Sequence, residues 1–238
     1  MKKSFCLVLC LFLLLFCTAC NNTEEPNDPT LWQLTKQTTL QNDNVTVTIF
    51  TYNELGQQVS YEIRANGVVN STNELAYDNN GYKNYEKSTN VSGLITEIFY
   101  TNDSEGKITS QRTVITFQEN SFESVSEFEY TDDYGSYVQT FVSGSSKGNT
   151  ITVTKDEHGN ELAHITSNST SIRYENKYNG TILVERIASR STSSGTVVTK
   201  IVYEYDENGN NVKTTSYDEL GTIFLTQLYE YTAVNTSQ

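Results

Sequence analysis

The chain has 238 residues, with 16 Lys and Arg against 29 Asp and Glu, for a formal charge of −13. That length suits one domain or at most two, the acidic balance excludes a protein built to neutralise nucleic-acid phosphates, and 16 Tyr with 10 Phe exclude an intrinsically disordered chain. Two His and one Trp leave little material for a His-based metal or acid–base site.

At the N-terminus, Lys2 and Lys3 form a short positive segment, and Cys6 to Phe16 is almost wholly apolar. That stretch has the length of a signal-peptide core and is too short for a transmembrane helix. Cys17-Thr18-Ala19-Cys20 follows and resembles the lipobox of bacterial lipoproteins, with Cys17 where that family usually carries Leu. The resemblance implies a signal peptide over 1–19, cleavage after Ala19, and a diacylglyceryl group on Cys20. An ordinary secretory signal or an uncut anchor are the other readings. Cys6, Cys10, Cys17 and Cys20 are the only cysteines, so the body is not stapled by disulfides. Loss of Lys2 and Lys3 takes the charge from −13 to −15. Such a surface is repelled by anionic lipid, leaving acyl chains to hold the protein on a membrane. Residues 21–30 contain both prolines, Pro26 and Pro29, and read with Cys20 as a lipid-anchored, flexible tether over 20–30.

From residue 31 to 238 the pattern is that of one repeat-built β domain. Apolar and polar residues alternate, as in Val45-Thr46-Val47-Thr48-Ile49-Phe50 and Val202-Tyr203-Glu204-Tyr205, and Thr, Val, Ile and Tyr dominate. Glycines punctuate the domain every dozen or so residues, with Gly144 alone off the grid. Two longer gaps hold the polar turn candidates Glu119-Asn120-Ser121 and Ser167-Asn168-Ser169. One kind of turn reads apolar-x-Tyr-Asp/Asn-x-x-Gly: Tyr52-Asn53 to Gly56, Tyr77-Asp78 to Gly81, and Tyr205-Asp206 to Gly209. Looser copies are Asp156 to Gly159 and Tyr217-Asp218 to Gly221. Asp or Asn at the start of a type I turn accepts backbone N–H bonds, and a Gly three residues on takes the left-handed conformation that closes a hairpin. The opposite turns, such as Asn66-Gly67 and Ser92-Gly93, are less uniform. Single strands between such turns predict an all-β fold: an antiparallel meander of about 14 strands, strongly curved or rolled so that one face becomes a core. A transmembrane barrel would need a lipid-facing apolar band, which strands this rich in Thr, Ser and Asn do not supply.

The repeat Tyr203-Glu204-Tyr205-Asp206-Glu207-Asn208-Gly209, followed by Tyr217-Asp218-Glu219-Leu220-Gly221, resembles the YD repeats of RHS-type proteins. The resemblance implies a long hairpin sheet wound into a curved shell. The apolar residue after each Gly sits one place later here than in that family, the hairpins are longer, and the toxin-encapsulating role is not expected.

Four strand-end tyrosines, Tyr52, Tyr77, Tyr130 and Tyr205, are the candidate binding surface, an aromatic stripe suited to sugar rings. As packing partners of their turns they need no ligand. The acidic turns, Asp132-Asp133 and Asp156-Glu157 among them, lack the spacing of known calcium loops. His158 is expected in an exposed turn and His164 on a strand; with no body thiol they do not make up a zinc set. No catalytic motif is present, and no cofactor or metal is expected. The function expected is that of an envelope- or surface-anchored binding or structural module, not an enzyme. Its partners would be the membrane through its lipid and an envelope protein or polysaccharide. A glycan-active enzyme with paired carboxylates, or a cap for another surface protein, are the alternatives.

Overall fold

The computed structural model describes residues 31–132, 134–167 and 171–234. Cys20, the signal, the tether, Asp133, Asn168 and Ser169 lie outside them. Gln33–Thr232 form one compact unit; the other described residues, Leu31, Trp32, Ala233 and Val234, belong to a second.

Sixteen strands follow one another without a helix among the described residues. They are β1 (Leu31–Gln41), β2 (Asn44–Tyr52), β3 (Gln58–Ala65), β4 (Val68–Tyr77), β5 (Lys83–Asn90), β6 (Ile95–Asn102), β7 (Ile108–Phe117) and β8 (Asn120–Tyr130). The second half comprises β9 (Tyr137–Phe141), β10 (Thr150–Lys155), β11 (Glu161–Thr166), β12 (Ile172–Asn179), β13 (Ile182–Thr192), β14 (Gly195–Tyr205), β15 (Asn211–Tyr217) and β16 (Ile223–Val234). Each pairs with its chain neighbours, and β16 pairs with β1, closing a barrel. At the seam Thr35 Oγ1 donates to the Glu230 carbonyl at 3.1 Å and Lys36 Nζ meets Glu230 Oε1 at 2.7 Å. The expected antiparallel meander is present, with sixteen strands in place of about 14 and closure in place of rolling. The glycine grid undercounts because the β1–β2 hairpin turns on Asn42, at φ 52°, with no glycine. Closure removes the two open edges that a rolled sheet would expose.

The turns are built as the sequence requires. Asn53, Asp78, Asp103, Asp156 and Asp206 each accept, on Oδ1, the N–H groups two and four residues ahead. Gly56, Gly81, Gly159, Gly209 and Gly221 donate their N–H groups to the carbonyl three residues back, at 2.9–3.1 Å. Asp218 and Asn90 do the same work at the opposite end of the barrel, so the chemistry is not confined to one set of turns.

Register sorts the side chains into two faces. One carries Ser71, Asn73, Ser126, Val153, Thr214 and Ser216, all buried, and is the inner wall. The other carries charges in cross-strand sequence. Glu74 stands opposite Lys87 and Lys87 opposite Glu97. Arg112 pairs with Glu123 at 2.8 Å, Lys200 with Glu185 at 2.9 Å, Lys213 with Glu204 at 2.8 Å and Lys36 with Glu230 at 2.7 Å. This is the outer wall. The expected core is absent as such: among the described residues only Val153 and Ala163 are buried apolar side chains. Most inner residues remain part-exposed, because a ring of sixteen strands is too wide for its inward side chains to fill.

Candidate functional site: the inner wall of the barrel

The four singled-out tyrosines all sit on the inner wall, and their hydroxyls have backbone partners. Tyr52 donates to the Leu34 carbonyl, Tyr77 to that of Gln58 and Tyr205 to that of Leu183, each at 2.7 Å. Tyr130 also bonds the Ile108 backbone, but in a contact that lowers its hydroxyl pKa, so its oxygen accepts there. Leu34, Gln58 and Leu183 each lie two residues beyond the last ladder pair with the strand that carries the tyrosine. Their carbonyls would otherwise lack a sheet partner. Tyr231 does this for Asn211 at 3.0 Å, and Asn102 Nδ2 for Lys83 at 3.0 Å. The repeated Tyr-Asp step is thus a double device: the acid closes its own turn and the tyrosine closes the open end of the preceding ladder. Burial raises the hydroxyl pKa values of Tyr52, Tyr130 and Tyr205, so these groups remain donors. Their ring faces, not their hydroxyls, are what the inner wall presents.

Two polar clusters that sequence reasoning missed lie on the same wall. In the first, Glu86 on β5 pairs with Lys83 at 2.9 Å and accepts from Tyr61 at 3.1 Å and from Tyr100 at 3.3 Å. Tyr61 reaches it over β4, whose Asn73 is consequently buried. Burial first, then the Glu86 charge, push the Tyr61 hydroxyl up to about 12. Burial is the largest single influence on Lys83 and opposes its charge, but its hydrogen bond to Glu86 together with the charges of Glu86 and Tyr100 outweighs that and raises its pKa. The second runs along β12 and β13. Arg186 Nε donates to Asn176 Oδ1 at 2.8 Å, and its guanidinium lies 4.8 Å from the Tyr174 ring centre. Asn176 Nδ2 donates in turn to Asp156 at 2.9 Å, and the Tyr178 hydroxyl also bonds that carboxylate. The only available signal was period: residues at even spacing on one strand share a wall. Which wall faces inward is not encoded in that period.

His158 lies in its turn and packs its ring against Tyr178 at 4.5 Å, while His164 lies on the inner wall opposite Val153. Among the described residues no three His, Cys, Asp or Glu side chains come together as a metal set. Cavities of about 460 Å³ open on the outer wall between β14 and the β15–β16 turn. Their polar groups are already engaged: Glu219 accepts the Val198 N–H at 2.9 Å and Lys200 holds Glu185. The inner wall, with aromatic faces, amides and hydroxyls accessible together, is the stronger candidate.

No protein-family model matches the chain, and no curated relative matches it. Among solved structures it is similar to a porin-like protein from Bacteroides uniformis, with a TM-score of 0.52 and 13% identity, over 87% of this chain and 99% of that one. A chain of the TcdB2–TccC3–Cdc42 complex is aligned at a TM-score of 0.32 and 15% identity, over 77% of this chain and 10% of that one. The first likeness is one of fold, and it shows an all-β antiparallel barrel for this chain.

Proposed function

We propose that this protein is an envelope-anchored lipoprotein, held through Cys20, whose hollow, repeat-built barrel is a binding module that contacts its ligand along the inner wall. The observation that carries the reading is the contrast between the two walls. The outer wall is belted by ion pairs and would face water. The inner wall keeps tyrosine rings beside Asn, Gln, Ser and Thr, part-exposed, which suits polyhydroxylated ligands such as polysaccharide. The likeness to YD-type hairpin repeats agrees with a shell that encloses its contents. The porin-like neighbour invites a pore reading, but a membrane-spanning barrel needs an apolar band outside. Lys36, Lys87, Arg112, Lys200 and Lys213 stand on the outer wall among their acids instead.

Two measurements test this on the full chain. Metabolic labelling with a clickable fatty acid should mark wild type and not Cys20→Ala; equal labelling of both would remove the anchor. The purified lipoprotein added to planar bilayers should give no stepwise conductance and should bind soluble polysaccharides in calorimetry. Discrete channels would replace the binding reading by a pore.

A further inference from the structure

The strands of the inner wall distribute their charge unevenly. On β13, Arg186, Ala188 and Arg190 share the inward face, with Tyr174 directly opposite Ala188 on β12 and Thr199 opposite it on β14. A single methyl group therefore separates the bases of two guanidinium side chains. Arg186 is held in place by Asn176 at 2.8 Å and by the Tyr174 ring at 4.8 Å. Asn176 is itself fixed by the Glu161 carbonyl at 3.1 Å and by Asp156 at 2.9 Å. Arg190 is exposed, near the β13–β14 turn. Among the described residues neither arginine has a carboxylate partner, whereas Lys36, Lys83, Arg112, Lys200 and Lys213 each have one. Both charges act on Tyr174, opposing the rise that burial and the Glu161 charge cause in its hydroxyl. Glu161 stands opposite Lys155 in the β10–β11 ladder. The inward side of β13 is thus electropositive within a protein whose formal charge is −13.

We infer that this patch is an anion subsite of the lumen and that it takes a carboxylate- or sulfate-bearing saccharide. Guanidinium groups bind both acids through paired N–H bonds. Arg186 and Arg190 grip the acid group above Ala188, while the Tyr203 ring and the Thr199 hydroxyl on β14 flank the sugar. Arg186 is pre-oriented by Asn176, so little side-chain freedom is lost when the anion arrives. The inference rests on the inner wall being the ligand-contacting surface.

The test is calorimetric titration of the intact lipoprotein in neutral detergent with oligogalacturonate, dextran sulfate and neutral dextran of matched length. An acidic oligomer should bind at least tenfold more tightly than the neutral one, and whichever of the two binds better identifies the acid group. Arg190→Gln, at an exposed position, should reduce acidic binding to the neutral level and leave neutral binding unchanged. Arg186→Lys keeps the charge but loses the fork, and should weaken acidic binding by a smaller factor. Lys177→Gln, on the outer face of β12, should change nothing. Equal binding of acidic and neutral oligomers, or acidic binding that survives Arg186→Gln with Arg190→Gln, overturns the subsite and leaves the lumen reading standing. Failure of every saccharide to bind overturns the lumen reading and the subsite with it.

Discussion

Gly144 and Gly209 share a left-handed φ, 81° and 80°, but differ in what a side chain would meet. At Gly209 an added Cβ meets nothing within 4 Å, whereas at Gly144 it would stand 2.7 Å from the Glu123 carbonyl oxygen and 2.8 Å from Ser124 Cβ. Gly144 stands off the turn grid, and sequence alone therefore predicts that Gly144→Ala costs little beside Gly209→Ala. The contacts reverse that order. Gly209→Ala should cost about 1 kcal/mol, from backbone conformation alone. Gly144→Ala adds a clash with backbone that cannot rotate away, and should cost roughly 2–4 kcal/mol. Urea unfolding midpoints at unchanged m-values measure both. A smaller loss at Gly144 than at Gly209 would mean that the 142–149 connection yields more easily than its contacts imply.

The hairpin is the energetic unit, and it depends on two groups that act across it. Tyr77→Phe keeps the ring but leaves the Gln58 carbonyl without the donor now 2.7 Å away. A net loss of about 1 kcal/mol is expected, against less than about 0.5 kcal/mol for Tyr134→Phe at an exposed turn. Equal effects would show that water replaces the tyrosine hydroxyl at no cost. The β10–β11 turn carries a pH dependence. Burial alone would raise the Asp156 pKa, but hydrogen bonds from Tyr178, Asn176 and the backbone N–H groups of Asn160 and His158 outweigh it, so the value is lowered. A folded pKa below the unfolded one gives stability that is complete above the unfolded value of about 3.9 and is lost as pH falls through the folded value. Asp156→Asn should therefore lower stability at neutral pH and flatten the decline below about pH 4. An unchanged acid limb would assign the decline to other carboxylates. Asp132 and Asp206, whose values are lowered by the same turn bonding, and Glu123 and Glu185, lowered by Arg112 and Lys200, add to it.

At the scale of the molecule, stability comes from a closed ladder and not from a packed centre. Exposed ion pairs such as Lys36–Glu230 contribute little each, on the order of 0–1 kcal/mol; their effect is to keep the outer wall wet. The turn acids already spend an oxygen on two backbone N–H groups apiece, so divalent cations should act only by screening the net charge. Thermal unfolding of the full chain should shift equally with Ca²⁺, Mg²⁺ and NaCl at matched ionic strength, and should be insensitive to EDTA and to reductant. A rise of many degrees with Ca²⁺ alone would reveal a native-state site, since a ligand bound only to the folded form stabilises by mass action.

The amino-acid sequence by itself determined what is local. An Asx-x-x-Gly turn closes through bonds between residues at most four apart, so Asn53, Asp78, Asp156, Asp206 and Asp218 were legible with their glycines, and so was the antiparallel meander between them. The tertiary structure decided everything that depends on partners far along the chain. The Tyr77 hydroxyl finds its carbonyl 19 residues back, the ends of the sheet meet across 195 residues at Thr35 and Glu230, and Arg186 and Glu86 acquire their clusters only through register. The inner wall could not be chosen by hydrophobicity either. On β2 the apolar Val47 and Ile49 stand opposite Arg64 and Glu62 on the outer wall, while Thr46 and Thr48 face inward. In a barrel too wide to fill, burial exerts little selection between the two faces, so the alternating pattern fixes the strand and leaves its inward side to closure.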